Sequence, residues 1–228
     1  MAAATRFALF DLDGTITRRD SFLPWTLGLL RRHPLRYLRV PLLLGPLLSY
    51  AFGPRSRDSL RGEQRGELKG AVMHGLFAGL PRKAIDDWSR EFAQHIVAHG
   101  TFHDAVEALR MHRLHGEEVV LLSASPDVYV PRIGEELGVN LTICTQALWN
   151  GERLDGHLAG PNRYGAEKTL VLQRLRADRP GLATIAYGNS PADVEHMRLC
   201  EQCVYVNAPP RLARQLNQPG IQHVQWRE

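Results

Sequence analysis

The chain has 228 residues, a hydrophobic content of 44%, 28 Arg and Lys against 24 Asp and Glu, a net charge of +4 and three cysteines. This length accommodates one α/β core with a smaller inserted domain, and the hydrophobic content excludes a disordered chain. Three cysteines exclude a disulfide-stapled scaffold, and Met1-Ala2-Ala3-Ala4-Thr5-Arg6 leads into apolar sequence without a secretory leader, so a cytoplasmic protein with reduced thiols is expected.

Phe7-Ala8-Leu9-Phe10 reads as a buried parallel strand, and it runs into Asp11-Leu12-Asp13-Gly14-Thr15. Strand alternation aims Asp11 and Asp13 the same way, and Gly14 allows a sharp turn. Two such carboxylates need a metal, a lysine or a shared proton between them, although an Asp-Gly turn with a helix cap is the plainer alternative.

From there to Phe102 the helix signal dominates, which predicts an all-helical insertion. Residues 18 to 99 hold 14 Arg and Lys against 7 Asp and Glu, a net of +7 that leaves −3 for the rest. A basic lid suits an anionic substrate or an anionic membrane surface. Asp20 reads either as a substrate-reading residue or as the N-cap of the first helix. Val40 to Gly53 is an uncharged run of 14 residues interrupted by Pro41 and Pro46. It falls short of the about 20 residues of a membrane span, and it fits a re-entrant or interfacial hairpin. Arg31, Arg32, Arg36 and Arg39 would then lie on headgroups, with Trp25 and Tyr37 at the boundary. The alternative is a cap helix packed on its neighbours. Nucleic-acid binding is not expected, because the arginines alternate with leucine and proline and no recognition module occurs.

Farther on, a helix over His103–Arg113 precedes the strand Val119-Val120-Leu121-Leu122, which ends in Ser123-Ala124-Ser125-Pro126. Ser125 reads as an N-cap and Pro126 as the first residue of a helix reaching Leu137, which places Ser123 beside a helix N-terminus. A strand over Leu141–Thr145 and a β excursion within Ala147–Gly160 follow. Lys168 falls in the first turn of a helix over Ala166–Arg176, where a cation opposes the helix dipole and calls for an anionic partner. Only Lys69 and Lys83 are other lysines. Leu182–Tyr187 then runs into Gly188-Asn189-Ser190-Pro191-Ala192-Asp193 and a helix to Cys200, with a final strand near Val204–Val206. Asp193 also fits a capping box with Ser190. Cys200-Glu201-Gln202-Cys203 closes a helix instead of opening one and reads as inert. His95, His99, His103, His112 and His115 read as surface or helix-terminal residues.

Asp11-Leu12-Asp13-Gly14-Thr15, Ser123, Lys168 and Gly188-Asn189-Ser190 through Asp193 resemble, in order, the four motifs of the haloacid dehalogenase superfamily. The resemblance implies an α/β fold with a Rossmann-like parallel sheet sandwiched by helices and an all-helical cap between motifs one and two. The implied division is a core over 1–17 and 103–228 and a cap over 18–102. It further implies a phosphatase with Asp11 as the nucleophile that takes the phosphoryl group and Asp13 as acid and then base. Ser123 and nearby backbone N–H groups, that of Ala124 among them, would hold phosphate oxygens, and Lys168 would neutralise the nucleophile and the phosphoryl group. Mg²⁺ would sit among Asp11, the Asp13 carbonyl, Asn189 and Asp193. Asn189 departs from the usual aspartate, which implies weaker Mg²⁺ binding.

The segment from Arg18 to Leu48, with Ser123-Ala124-Ser125-Pro126, looks like the phosphatidylglycerophosphatase C group of the phosphoserine-phosphatase-like branch, subfamily IB. The implied substrate is a membrane-associated lipid phosphomonoester, and the implied place is the cytoplasmic face of the inner membrane. A phosphatase of a small soluble metabolite, phosphoserine-like or an amino-alcohol phosphate, is the alternative, and a catalytically weak binding protein is a third.

Overall fold

In the computed structural model, which describes residues 6–52, 58–216 and 220–227, the first apolar run forms β1 (Arg6–Phe10). Residues 1–5, where a leader would begin, and Gly53, the last of the uncharged run, lie outside the described residues. Then come α1 (Phe22–Arg32), a 3-10 helix (Pro34–Leu43), α2 (Leu44–Phe52), α3 (Asp58–Phe77), α4 (Arg82–His99) and α5 (His103–Leu114). The second half begins with β2 (Glu118–Pro126), α6 (Val130–Leu137), β3 (Leu141–Thr145) and the hairpin strands β4 (Ala147–Asn150) and β5 (Arg153–Leu158). It ends with α7 (Ala166–Asp178), β6 (Ala183–Gly188), a 3-10 turn (Pro191–Asp193), α8 (Val194–Met197), β7 (Gln202–Val206), α9 (Pro210–Gln215) and β8 (Ile221–Val224).

Six parallel strands form one sheet in the order β3-β2-β1-β6-β7-β8, and β4 and β5 pair antiparallel beside it. β1 lies between β2 and β6, so the chain order reverses at its carboxyl end, where open α/β sheets place their sites. The two-residue period of the strands separates two apolar layers. Ala8, Phe10, Val119 and Leu121 pack on one face, and Phe7, Leu9, Val120 and Leu122 on the other. Trp25, Met73, Phe77, Ile85 and Phe92 of the helical insertion join the first layer, so the cap shares a continuous core with the sheet.

Several elements depart from the sequence reading. β2 continues to Pro126, which pairs with Thr145 of β3, and the next helix starts only at Val130, with Tyr129 at its N-cap and Pro131 in its first turn. Ser125 is therefore not an N-cap, and Ser123 does not adjoin a helix N-terminus. The helix expected from Pro191 to Cys200 is a 3-10 turn and a single α-helical turn. Val40 to Phe52 forms no re-entrant hairpin, because the chain passes from the 3-10 helix directly into α2. Trp25 is fully buried and donates to Ser89 Oγ (3.0 Å), so it belongs to the core and not to a membrane boundary. Arg36 donates to the carbonyls of Leu76 (3.2 Å) and Ala78 (2.8 Å), and Arg39 to that of Ala78 (3.2 Å). Both guanidinium groups thus satisfy acceptors at the C-terminal end of α3, where positive charge complements the helix dipole, instead of standing free for headgroups. Arg32 pairs with Glu91 and stacks on Trp88.

The apolar residues of this segment are nevertheless uncovered. Leu35 is 82% exposed, Leu38 81% and Leu42 64%, with Leu44, Leu47 and Leu48 also exposed. No helix among the described residues is long and apolar enough to cross a membrane. His112 is helix-terminal, in the last turn of α5, and is half-buried between Glu117 and Tyr187, with Nε2 2.8 Å from the tyrosine hydroxyl. Cys200 and Cys203 are free thiols directed at the carbonyls of His196 and Met197, and burial pushes the Cys200 thiol up to about 11, which keeps it unreactive.

Candidate active site

Beyond β1 the chain turns at once, because the Leu12 carbonyl accepts from the backbone of Thr15, Ile16 and Thr17. Leu12 is fully buried, and Asp11 and Asp13 on either side of it both face a cleft of about 700 Å³. The Asp11 N–H donates to the carbonyl of Tyr187 in β6 (3.0 Å), which ties the motif-one loop to the end of β6. Gly14 adopts φ +84°, and a Cβ there would stand 2.0 Å from Asn189 Nδ2, so glycine is required both by the turn and by this contact.

Lys168, 2% exposed at the start of α7, reaches Asp11 Oδ1 and Asp193 Oδ1, each at 2.6 Å. Burial disfavours its ammonium, but the two carboxylates outweigh burial and hold its pKa above the ordinary lysine range. Asp193 Oδ2 accepts from the N–H (3.1 Å) and hydroxyl (2.8 Å) of Ser190, completing the capping box. Burial acts to raise the Asp193 pKa, but Lys168, His196 and Ser190 bring it below the usual carboxylate value. Asp11 moves the other way: burial dominates, Lys168 offsets it only in part, and its pKa rises to about 7.

Asp13 is held by three hydrogen bonds. Its Oδ1 accepts from the Ser21 N–H (2.8 Å) and hydroxyl (2.6 Å), and its Oδ2 from the Ser125 hydroxyl (2.6 Å). Burial and the charge of Asp20 raise its pKa above the usual carboxylate value despite these bonds. A carboxyl with raised affinity for protons and a fixed orientation is suited to give a proton and take one back.

The structure brings Asp11, Asp13, Asp20, Ala124, Lys168, Asn189 and Asp193 to the wall of the same cleft. Ser123 stands behind it, 1% exposed, with its hydroxyl accepting from the Ser125 N–H (3.1 Å), while Ala124 lines the cleft. Asp20 lines the cleft, and its Oδ1 accepts from the N–H groups of Phe22 (3.0 Å) and Leu23 (3.3 Å) at the start of α1, although the N-cap position itself is taken by Ser21 and not by Asp20.

Asn189 Oδ1 is buried and has no hydrogen-bond partner among the described residues. An orphan amide oxygen in the same cleft as the Asp11 and Asp193 carboxylates makes a donor set that fits a hard cation such as Mg²⁺.

Sequence reasoning missed Lys69 and Arg65, both on α3. Lys69 Nζ donates to the Ala124 carbonyl (2.6 Å); burial pushes its pKa down, against the pull of Asp13 and Asp20. Arg65 lies over the Tyr164 ring (5.1 Å) and donates to its hydroxyl (3.2 Å). The scarcity of lysine that drew attention to Lys168 applied equally to Lys69.

Residues 8–198 match the family model of haloacid dehalogenase-like hydrolases. The chain is 30% identical over 200 residues to Protein CicA of Caulobacter vibrioides, covering 86% of this chain and 83% of that protein. It is 27% identical over 214 residues to phosphoserine phosphatase SerB1 of Mycobacterium tuberculosis, covering 91% and 67%. A crystal structure of a protein of unknown function from Bordetella pertussis superposes with a TM-score of 0.73 at 22% identity, covering 97% of this chain and 99% of that one. With a parallel sheet, paired aspartates at the end of β1 and a lysine between carboxylates, the chain belongs to the haloacid dehalogenase-like hydrolase family.

Proposed function

We propose that the chain is a Mg²⁺-dependent phosphomonoester hydrolase that works through an aspartyl-phosphate and takes a membrane-borne lipid phosphate, of the phosphatidylglycerophosphate type. The observation that carries the substrate class is that Leu23 and Leu47 line the cleft and are also 60% and 45% exposed, joining it to the uncovered leucines of the 3-10 helix and α2. A phosphate in the cleft can therefore leave an attached apolar tail on an apolar surface. The resemblance of this segment to the phosphatidylglycerophosphatase C group supports the same reading, which implies a peripheral position on the cytoplasmic face of the membrane.

In this reading an Asp11 carboxylate oxygen forms a bond to phosphorus as the phosphorus–oxygen ester bond breaks, and Asp13 gives its proton to the departing alkoxide. Asp13 then takes a proton from a water that attacks phosphorus, which frees phosphate and restores Asp11. Lys168 keeps Asp11 oriented and offsets charge on the phosphoryl group; the N–H of Ala124, which lines the cleft, would hold a phosphate oxygen, while Ser123, behind the wall, supports this turn by accepting from the Ser125 N–H. Asn189, with Asp11 and Asp193, would hold Mg²⁺, which when bound offsets charge on the phosphoryl oxygens. Ser21 and Ser125 orient the Asp13 carboxyl.

A small polar phosphomonoester is the second reading, favoured by the charged mouth of the cleft, where Asp20, Arg65 and Lys69 face one another, and by the name of the SerB1 relative. Hydrolysis of phosphatidylglycerophosphate in mixed micelles, compared with phosphoserine, ethanolamine phosphate and an aryl phosphate, separates the two. Asp11→Asn should abolish turnover on all of them while leaving the fold intact. Near-normal hydrolysis by that variant would sink the mechanism.

A further inference from the structure

Away from the catalytic cleft, α3 lies against the β4–β5 hairpin at very short range. Gly156 of β5 adopts φ +97°, and a Cβ there would stand 2.5 Å from the backbone nitrogen of His74, so only glycine permits this approach. The contact brings His74 of α3 beside Asp155 and His157 of β5. The two imidazole rings lie with centroids 4.0 Å apart and planes inclined by 31°. One nitrogen from each ring and one carboxylate oxygen fall within 4.8 Å of one another.

The hydrogen bonds fix how these groups present themselves. His74 Nδ1 lies 2.8 Å from the Asp155 carbonyl oxygen; a carbonyl only accepts, so Nδ1 carries the proton and Nε2 keeps its lone pair. Histidines that bind metals are commonly held in this way, by a carbonyl or carboxylate on the other ring nitrogen. His157 Nδ1 lies 2.6 Å from Asp155 Oδ1, while Oδ2 has a long 3.4 Å contact to Asn150 Nδ2. The Asp155 main-chain carbonyl thus holds the His74 ring, and an ion bound by His157 Nδ1 and Asp155 Oδ1 would take the place of the proton they share. The histidine side chains are 45% and 57% exposed, so an ion can enter and a water can complete its shell.

We infer that His74, Asp155 and His157 form a binding site for a zinc-class transition-metal ion, separate from the Mg²⁺ site, which ties α3 to the β4–β5 hairpin. Two nitrogen ligands and one carboxylate suit Zn²⁺, with its four-coordinate preference and its 2.0–2.2 Å bonds, better than Mg²⁺. The consequence reaches the cleft, because α3 also carries Arg65, Lys69 and Val72 into its wall. An ion at this position would restrain the helix that closes over the substrate.

The test is calorimetric titration of tag-free protein with ZnCl₂ in excess Mg²⁺, with Co²⁺ absorption as a spectroscopic reporter. One zinc per chain is expected, with binding at least tenfold weaker in His74→Gln and in His157→Gln, and the Co²⁺ bands altered in both. Asp155→Asn should weaken binding similarly, and Cys200→Ser should not. Zinc at a hundred times its Kd should raise the Tm by about 5–10 °C in the unmodified protein and not in the double histidine variant. Failure of the unmodified protein to bind zinc, or undiminished uptake by both histidine variants, would overturn the assignment.

Discussion

Gly14 and Asn189 meet so closely that a single added carbon on Gly14 would stand 2.0 Å from the Asn189 amide nitrogen. The contact joins the loop after β1 to the loop after β6, and it fixes an amide whose oxygen has no other partner among the described residues. Gly14→Ala must therefore both strain a φ of +84° and displace Asn189. We expect activity to fall by about two orders of magnitude with a Tm loss of only a few degrees, and the Mg²⁺ concentration for half-maximal activity to rise. An unchanged Mg²⁺ requirement would mean that Asn189 is not at the metal.

Asn189→Asp replaces that neutral oxygen with a charged one of the same reach. Mg²⁺ should bind several-fold tighter, because an anionic ligand gains more from a divalent ion than an amide does. Repulsion from Asp11 and Asp193 limits the gain in the metal-free protein, where Lys168 is the nearest compensating charge. Titration of activity with Mg²⁺ in both forms decides the sign.

Lys168 sits between two buried carboxylates, so Lys168→Met leaves both without their shared cation. Removing one partner of a buried ion pair costs about 3–5 kcal/mol, largely from the stranded charge. Urea denaturation should show a loss of that order at neutral pH, partly recovered by Mg²⁺. A loss below about 1 kcal/mol would indicate that Asp11 and Asp193 have partners beyond those described.

Much of this architecture was legible in the sequence because it rests on local rules. The strand at Phe7–Phe10, the exact bounds of β3 and the hairpin before Lys168 follow from apolar runs and turn residues. The capping box of Ser190 and Asp193 was legible in the same way. What escaped depends on contacts between distant residues. Ser125 carries the signature of an N-cap, yet a hydrogen bond to Asp13, 112 positions away, keeps it in a strand. Trp25 looks like an interfacial aromatic, but Ser89, Phe77 and Tyr129 enclose it. Arg36 and Arg39 look like free headgroup ligands until α3 presents its terminal carbonyls to them. Lys69 reaches the cleft only because the insertion folds back over the sheet.

His196 is almost fully buried and its Nδ1 has no partner among the described residues. Burial, helped by Lys168 and opposed by Asp193, lowers its pKa to about 4 from 6.5. The unfolded chain then binds a proton that the folded chain refuses. Its contribution to stability is present above pH 6.5 and is lost as the pH falls toward 4. Asp11, with a pKa raised to about 7, acts oppositely in the same window, since its folded form takes up the proton first. The histidine effect is isolated by difference. His196→Leu should gain on the unmodified protein by up to about 3 kcal/mol between pH 6.5 and 4. A pH-independent difference would show that His196 titrates normally.

The last prediction separates the apolar from the basic side of the cap. Leu35, Leu38, Leu42 and Leu48 are exposed, so changing all four to serine removes little packing and should shift the Tm by no more than a few degrees. Each leucine that enters a bilayer interface adds about 1.5–3 kcal/mol, so the same variant should lose flotation with vesicles altogether. Hydrolysis of a lipid phosphate should fall with it, while hydrolysis of a soluble aryl phosphate persists. Arg36→Gln should behave differently, because its guanidinium holds the end of α3: we expect a stability loss of about 1–3 kcal/mol and only a minor effect on flotation. If the unmodified protein stays in the soluble fraction with anionic vesicles at low salt, the exposed leucines have another use and the small-metabolite reading prevails.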